Sequence, residues 1–247
     1  MLFSEGHFFH DLQVSIAYVH SGKEWDGKPF IPVYKGNDLS TTTKRLQAKK
    51  PVTIALFGDS IAVGGNCSAL IKSPPFLPAF GLRTVQQLKK HYGGEISFYN
   101  HSKGGKTSGW GIKNIAKVSA LKPNLVILAF GMNEGGSGHT YRNNNHAMIK
   151  AIRKENSACE FILVANMLPN PEWSNHNGRW AGHWQNRKML LDLEQKLQGV
   201  IVADVMSITE QLLKRKKFAD ICGNNVNHPN DFIHRLYADV ILRMLIP

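Results

Sequence analysis

From Lys50 onward, short and nearly continuous apolar runs alternate with amphipathic stretches, and this alternation restricts the fold more than any other feature of the chain. The runs are Val52–Phe57, Ile96–Tyr99, Leu125–Phe130, Phe161–Ala165 and Val200–Val205. They are β-branched and lack a polar face, as strands buried on both sides must be. Helical patterns fill the intervals, roughly 79–92, 110–119, 140–155, 179–197 and 206–217. In the last segment Phe232, Ile233, Leu236, Tyr237, Val240, Ile241 and Met244 recur at three- and four-residue steps, with Asn230 or Asp231 placed to cap the start. Such alternation requires right-handed crossovers. The expected fold is therefore α/β, a three-layer sandwich around a central, mostly parallel five-stranded sheet. Ligands of such sheets collect beyond the carboxyl ends of the strands.

Residues 1–49 read differently. Leu12, Val14, Ile16 and Tyr18 alternate with Gln13, Ser15, Ala17 and Val19, a half-buried strand signature, and turn residues follow as far as Gly36-Asn37-Asp38. This segment is expected to be a short β-rich arm or the remnant of a β-domain. The boundary falls near Lys49-Lys50-Pro51, leaving 50–247 as the main domain.

The 247 residues suffice for one large domain, or one with an appendage. No apolar run approaches the roughly 18 to 20 residues of a membrane helix, so no membrane partner is expected. Three cysteines, at 67, 159 and 222, are too few for a disulfide framework and match no zinc spacing. The formal net charge is +12, but the lysines and arginines are scattered. The densest run, Lys214-Arg215-Lys216-Lys217, falls late in an expected helix, where cations suit the dipole. No nucleic-acid motif accompanies it, and no nucleic-acid partner is expected. Met1–His7 lacks the basic start and apolar stretch of a leader. The default expectation is cytoplasmic, or export if a leader precedes Met1.

Chemistry gathers at the strand ends. Gly58-Asp59-Ser60 closes the first run, where a glycine permits a tight turn and the serine is presented as a helix begins. Asn100 to Ser108, with Gly104-Gly105, follows the second. Gly131-Met132-Asn133-Glu134 follows the third, and Asn225-Val226-Asn227-His228-Pro229-Asn230 precedes the final helix. In a parallel sheet, all four segments converge on one edge.

These blocks resemble those of the SGNH (GDSL-type) hydrolase superfamily over about residues 51–247, and among its members the carbohydrate O-acetyl esterases. Their order matches: Ser60, Gly105, Asn133 and His228. The resemblance implies the flavodoxin-like fold of that superfamily and a serine esterase that needs no cofactor or metal. Ser60 would attack an ester carbonyl, with His228 as base and then acid. The backbone N–H groups of Ser60 and Gly105 and the amide of Asn133 would hold the oxyanion. The family usually has an aspartate three residues before the histidine, and Asn225 stands there in this chain. Asn225 is one candidate for orienting the imidazole. Three readings stay open: a Ser–His dyad, an acid from elsewhere (Glu134 or Asp231), or an impaired enzyme. Asp59 is expected to bond neighbouring backbone N–H groups.

Trp110, Trp173 and Trp180 are candidates for stacking on sugar rings, against the alternative that they anchor loops to the core. Gly105-Lys106-Thr107 carries the end of a phosphate-loop pattern, but position 100 is Asn where that pattern needs Gly. His139 and His146, like His176 and His183, are spaced by seven and expected to be solvent-exposed rather than metal-binding. The expected reaction is hydrolysis of short-chain acyl esters, acetyl groups of a glycan or small molecule foremost. A lipase, thioesterase or acyltransferase, or an impaired carbohydrate-binding protein, are the alternatives.

Overall fold

The computed structural model describes residues 30–174 and 179–247, and the side chains among them outside 173–181. Helix α1 (Ser40–Gln47) precedes β1 (Val52–Gly58). The short α2 (Ser60–Val63), α3 (Phe80–Tyr92), β2 (Ile96–Asn100), α4 (Ser108–Asn114), α5 (Ala116–Ser119) and β3 (Leu125–Ala129) follow. Next come α6 (Gly138–Glu155), β4 (Glu160–Ala165), α7 (Pro171–Ser174), α8 (Arg179–Lys196), β5 (Val200–Asp204), α9 (Val205–Leu213) and α10 (Asp231–Leu245). All five strands are parallel, in the order β2-β1-β3-β4-β5. Each expected strand is present to within a residue or two.

The pleat sorts the strand residues into two cores. Ile54, Leu56, Ile127, Ile162, Val164, Ile201 and Ala203 face α3 and α10, where Leu88, Tyr237 and Ile241 meet them. Ala55, Phe57, Val126, Leu128, Phe161, Leu163 and Val202 face the other way, onto Met148, Ile149 and Ile152 of α6 and Leu190 and Leu193 of α8. Burial of one such side chain is worth roughly 1.5–3 kcal/mol. β3, β4 and β5 are covered on both faces, which explains their apolar runs, whereas the edge strand β2 is half-exposed.

The strand order supplies what periodicity could not. The chain leaves β1 for β2 on one side and then crosses to β3 on the other. The carboxyl ends of β1 and β3 thus flank the crevice of a topological switch point. They lie close together, since a Cβ at Gly58 would come within 2.3 Å of the Ala129 carbonyl oxygen.

Three local readings differ. The strand expected over Leu12–Val19 lies outside the described residues. Within the rest of that segment, α1 docks on the sheet domain, with Leu39 and Leu46 buried in the core. Helix α9 ends at Leu213, so the run Lys214–Lys217 lies past the last turn, with Arg215 and Lys216 N–H groups both donating to the Leu212 carbonyl. His183 is buried rather than solvent-exposed. All three cysteines are free and buried.

Candidate active site

Ser60 begins α2 directly beyond β1, and Asp59 fixes that junction. Its buried carboxylate accepts from Ile61 N (3.0 Å) within the turn and from Met132 N (3.2 Å) in the loop after β3. One side chain thus ties the serine to the neighbour of Asn133. Burial pushes the Asp59 carboxyl up to about 7, against the pull of its backbone donors. Its role is the backbone-bonding one expected for it. The Gly64 and Gly65 N–H groups both turn back to the Ser60 carbonyl (3.2 and 2.8 Å). The chain therefore folds over its own serine within one short loop.

His228 is held by a different device. The buried Asn224 accepts at Oδ1 from the N–H groups of Val226, Asn227 and His228, each at 3.0 Å. The His228 carbonyl in turn accepts from Gly223 N (2.8 Å) and the Cys222 thiol (3.0 Å). The loop so pinned presents the imidazole to the serine, with Nε2 2.8 Å from Ser60 Oγ. Nδ1 lies 2.8 Å from Asn66 Oδ1. Burial, and secondarily the nearby His234, lower the His228 pKa to about 4. The imidazole is therefore neutral at physiological pH, the state a general base requires.

The glycine block closes the other side. Lys103 N donates to the Gly58 carbonyl (3.1 Å), drawing the loop over β1. A Cβ at Gly104 would sit 3.8 Å from Ser60 Cβ, and Gly105 takes a left-handed backbone (φ +70°) that favours glycine. Asn133 Nδ2 donates to the Lys106 carbonyl (3.2 Å), fastening the amide to that same loop. Ser60, His228, Gly105 and Asn133 thus share one rim, as their positions after successive strands require.

The residues considered for orienting the histidine are placed elsewhere. Asn225 has a left-handed backbone (φ 53°), and its main-chain carbonyl accepts from Asn170 Nδ2 at 2.7 Å. Its side-chain oxygen also faces Asn170, so it braces the histidine loop against the loop after β4. Glu134 accepts from Ser108 N (2.6 Å) and Ser108 Oγ (3.1 Å), holding the start of α4, and burial raises its pKa. Asp231 accepts from Ser68 N at 2.8 Å. The partner facing Nδ1 is Asn66, which the sequence reading passed over. The available signal was Gly64-Gly65-Asn66, a turn sequence returning the chain toward Ser60 with an asparagine at a left-handed position (φ 62°).

Trp110 packs with Phe57 and Phe130, at ring centroid distances of 5.6 and 6.4 Å, and is half-buried against the core. Trp173 and Trp180 belong to α7 and α8, but their side chains lie outside the described ones. Among the described residues no group of three His, Cys, Asp or Glu side chains could hold a metal ion.

A cleft of about 380 Å³ lies beside α2, lined by Ala62, Val63, Cys67, Leu70, Leu82 and Phe98. A larger one, of about 640 Å³, opens at the opposite edge of the sheet among Lys35, Arg153, Glu160, Glu194 and Gly199. The larger cleft is remote from the serine.

The family model of the GDSL-like Lipase/Acylhydrolase family matches residues 56–236, more than half of the chain. No curated protein sequence matches it. Among solved structures, the fold is similar to that of a two-domain esterase active on acetylated mannans, co-crystallised with mannopentaose. The TM-score is 0.64 at 19% identity, over 85% of this chain and 53% of that one. The chain thus spans about half the length of that esterase. It is also similar to a carbohydrate esterase family 3 structure from Talaromyces cellulolyticus, with TM-score 0.58 and 17% identity, covering 77% of this chain and 94% of that one. A lipase/acylhydrolase from Enterococcus faecalis gives TM-score 0.60 at 22% identity, covering 78% and 94%.

Proposed function

The chain belongs to the GDSL-like lipase/acylhydrolase family, a family of carboxylic ester hydrolases, and from that premise we propose that it hydrolyses short-chain acyl esters, chiefly acetyl esters of carbohydrate. The observation that carries the reading is the 2.8 Å contact between Ser60 Oγ and the neutral imidazole of His228, on the rim that also holds Gly105 and Asn133.

Ser60 Oγ attacks the acyl carbonyl while its proton passes to His228 Nε2. The carbonyl oxygen becomes an oxyanion, held by the backbone N–H groups of Ser60 and Gly105 and by the Asn133 amide. All three donors are neutral and fixed before substrate arrives, so little reorganisation is needed as charge develops. Collapse of the intermediate expels the sugar alkoxide, which takes the proton from His228. Water then attacks the acyl-serine by the same route, releasing the acid and restoring Ser60.

The acetyl-carbohydrate preference draws on structural neighbours that act on acetylated mannans or carry carbohydrate esterase names. A second reading, a longer acyl chain, is favoured by the apolar cleft beside α2. Steady-state hydrolysis of p-nitrophenyl acetate, butyrate and octanoate, with Ser60→Ala as control, separates them. Acetate preference lost in the variant supports deacetylation, and acetylated oligosaccharides follow. Octanoate preference moves the assignment to a lipase. No Ser60-dependent turnover overturns both.

A further inference from the structure

We propose that Asn66 is the residue that positions His228 for proton transfer, so that the third member of the catalytic group comes from the nucleophile's own loop and is a neutral amide. The inference rests on the esterase reading above and goes beyond it.

The tautomer supplies the first step of the argument. To take the serine proton, Nε2 must present a lone pair to Ser60 Oγ, so the ring proton must sit on Nδ1. Nδ1 then requires an acceptor, and Asn66 Oδ1 stands 2.8 Å away. An amide oxygen there selects the productive tautomer and holds the ring in plane.

The surroundings keep this pair in register. A Cβ on Gly65 would fall 2.8 Å from His228 Nδ1, so the glycine backbone lies directly against the ring. A Cβ on Gly223 would fall 2.7 Å from Asn66 Cβ, so a second glycine leaves room for the asparagine itself. Asn66 holds a left-handed backbone, which asparagine tolerates better than most residues. These contacts explain why the position three residues before His228 is free to serve as a brace.

A neutral partner also has a chemical consequence. It gives direction but no counter-charge, so the imidazolium formed during attack lacks the stabilisation that a carboxylate would bring. Two described titratable groups of α10 and one of the histidine loop lie near the ring. From α10, His234 is itself buried and lowered to about 4, and the Asp231 carboxylate is taken by Ser68 N. From the histidine loop, burial pushes the Cys222 thiol up to about 11, so it stays neutral. The base therefore remains unprotonated well into the acid range, at the cost of basicity.

Asn66→Gly and Asn66→Asp in the full chain test this, since both residues accept a left-handed backbone. Two quantities are read: the pH profile of kcat/KM on p-nitrophenyl acetate, and the titration of the His228 ring by NMR. Asn66→Gly should lower kcat/KM by about 10²-fold, less than the roughly 10⁴-fold seen when a triad carboxylate becomes an amide. Asn66→Asp should move the His228 titration, and the acid limb of the profile with it, upward by at least about one pH unit. If Asn66→Gly keeps wild-type kcat/KM and the His228 titration in Asn66→Asp does not move, the proposal is overturned. Should the wild type show no Ser60-dependent turnover, the esterase reading fails, while the NMR shift still decides whether Asn66 governs the imidazole.

Discussion

At the amino ends of β4 and β5, charged groups meet one another and the backbone. Lys35 pairs with Glu194, which also accepts from Val202 N, while Glu160 accepts from Thr41 and Thr42 at the start of α1. At the carboxyl ends of β1 and β3 the groups that meet around Ser60 are a neutral histidine, amides and glycines, while Glu134 is turned to Ser108. Even Asp59, the carboxyl nearest the serine in sequence, is pushed toward its neutral form by burial. The first edge is a polar clasp, and its larger cleft is lined in part by these bonded groups. At the second edge Ser60 Oγ meets His228 Nε2 and the Asn133 amide donates to the Lys106 carbonyl, groups that the proposed mechanism would turn toward charge appearing only during reaction. Cleft size therefore points to the first edge, and the proposed chemistry to the second.

Substitutions that set the two edges against each other follow in order of effect. Ser60→Ala or His228→Ala should lower kcat by at least about 10³-fold, given losses near 10⁶ for comparable nucleophile and base removals. The melting temperature should barely change, and calorimetry beside the kinetics checks both halves. Asn133→Ala removes one oxyanion donor and should cost about 10²–10³-fold in kcat with little change in KM. Steady-state kinetics on a single acetyl ester would read it.

The pH profile comes next. A base with a lowered pKa stays neutral until pH falls through its folded value, about 4 for His228. Activity should hold at pH 5, where a histidine of ordinary pKa near 6.5 would leave only about 3% of the base neutral. A fall centred near pH 6.5 would contradict the buried, neutral imidazole.

The opposite edge should answer in stability alone. Glu160→Ala strands two N–H donors at the α1 terminus and should destabilise the fold by about 1–3 kcal/mol. Denaturant melts read that loss, while kcat per folded molecule stays at the wild-type value. The exposed Arg235–Asp239 pair marks the floor, and Asp239→Asn should shift stability by no more than about 0.5 kcal/mol.

How much of this was legible in the sequence follows the range of the interactions. Strands buried on both faces announce themselves through continuous apolar runs, so β1, β3, β4 and β5 could be read directly, and the half-exposed edge strand β2 from its short Ile96–Tyr99 run. Asn230 was readable as a cap because a cap acts on its own helix, and its Oδ1 accepts from Ile233 N at 3.2 Å. Ser60, Gly105 and Asn133 could be gathered on one edge because a parallel sheet brings successive strand ends together, and His228 joined them through the family pattern ahead of the last helix. Asn225 and Asn66 could not be told apart in this way. One braces a loop against Asn170 and the other faces Nδ1, a difference that depends on contacts 55 and 162 positions away in sequence. Trp110 was ambiguous for a similar reason, since an indole that packs against a core and one that stacks on a sugar look alike in sequence.

The central claim is that Ser60 is a nucleophile activated by His228. It is tested most directly by incubating the chain with a fluorophosphonate and locating the adduct by mass spectrometry. One phosphonyl group per chain is expected, on Ser60, formed far more slowly in His228→Ala. An unlabelled Ser60, or equal labelling in the variant, would contradict it.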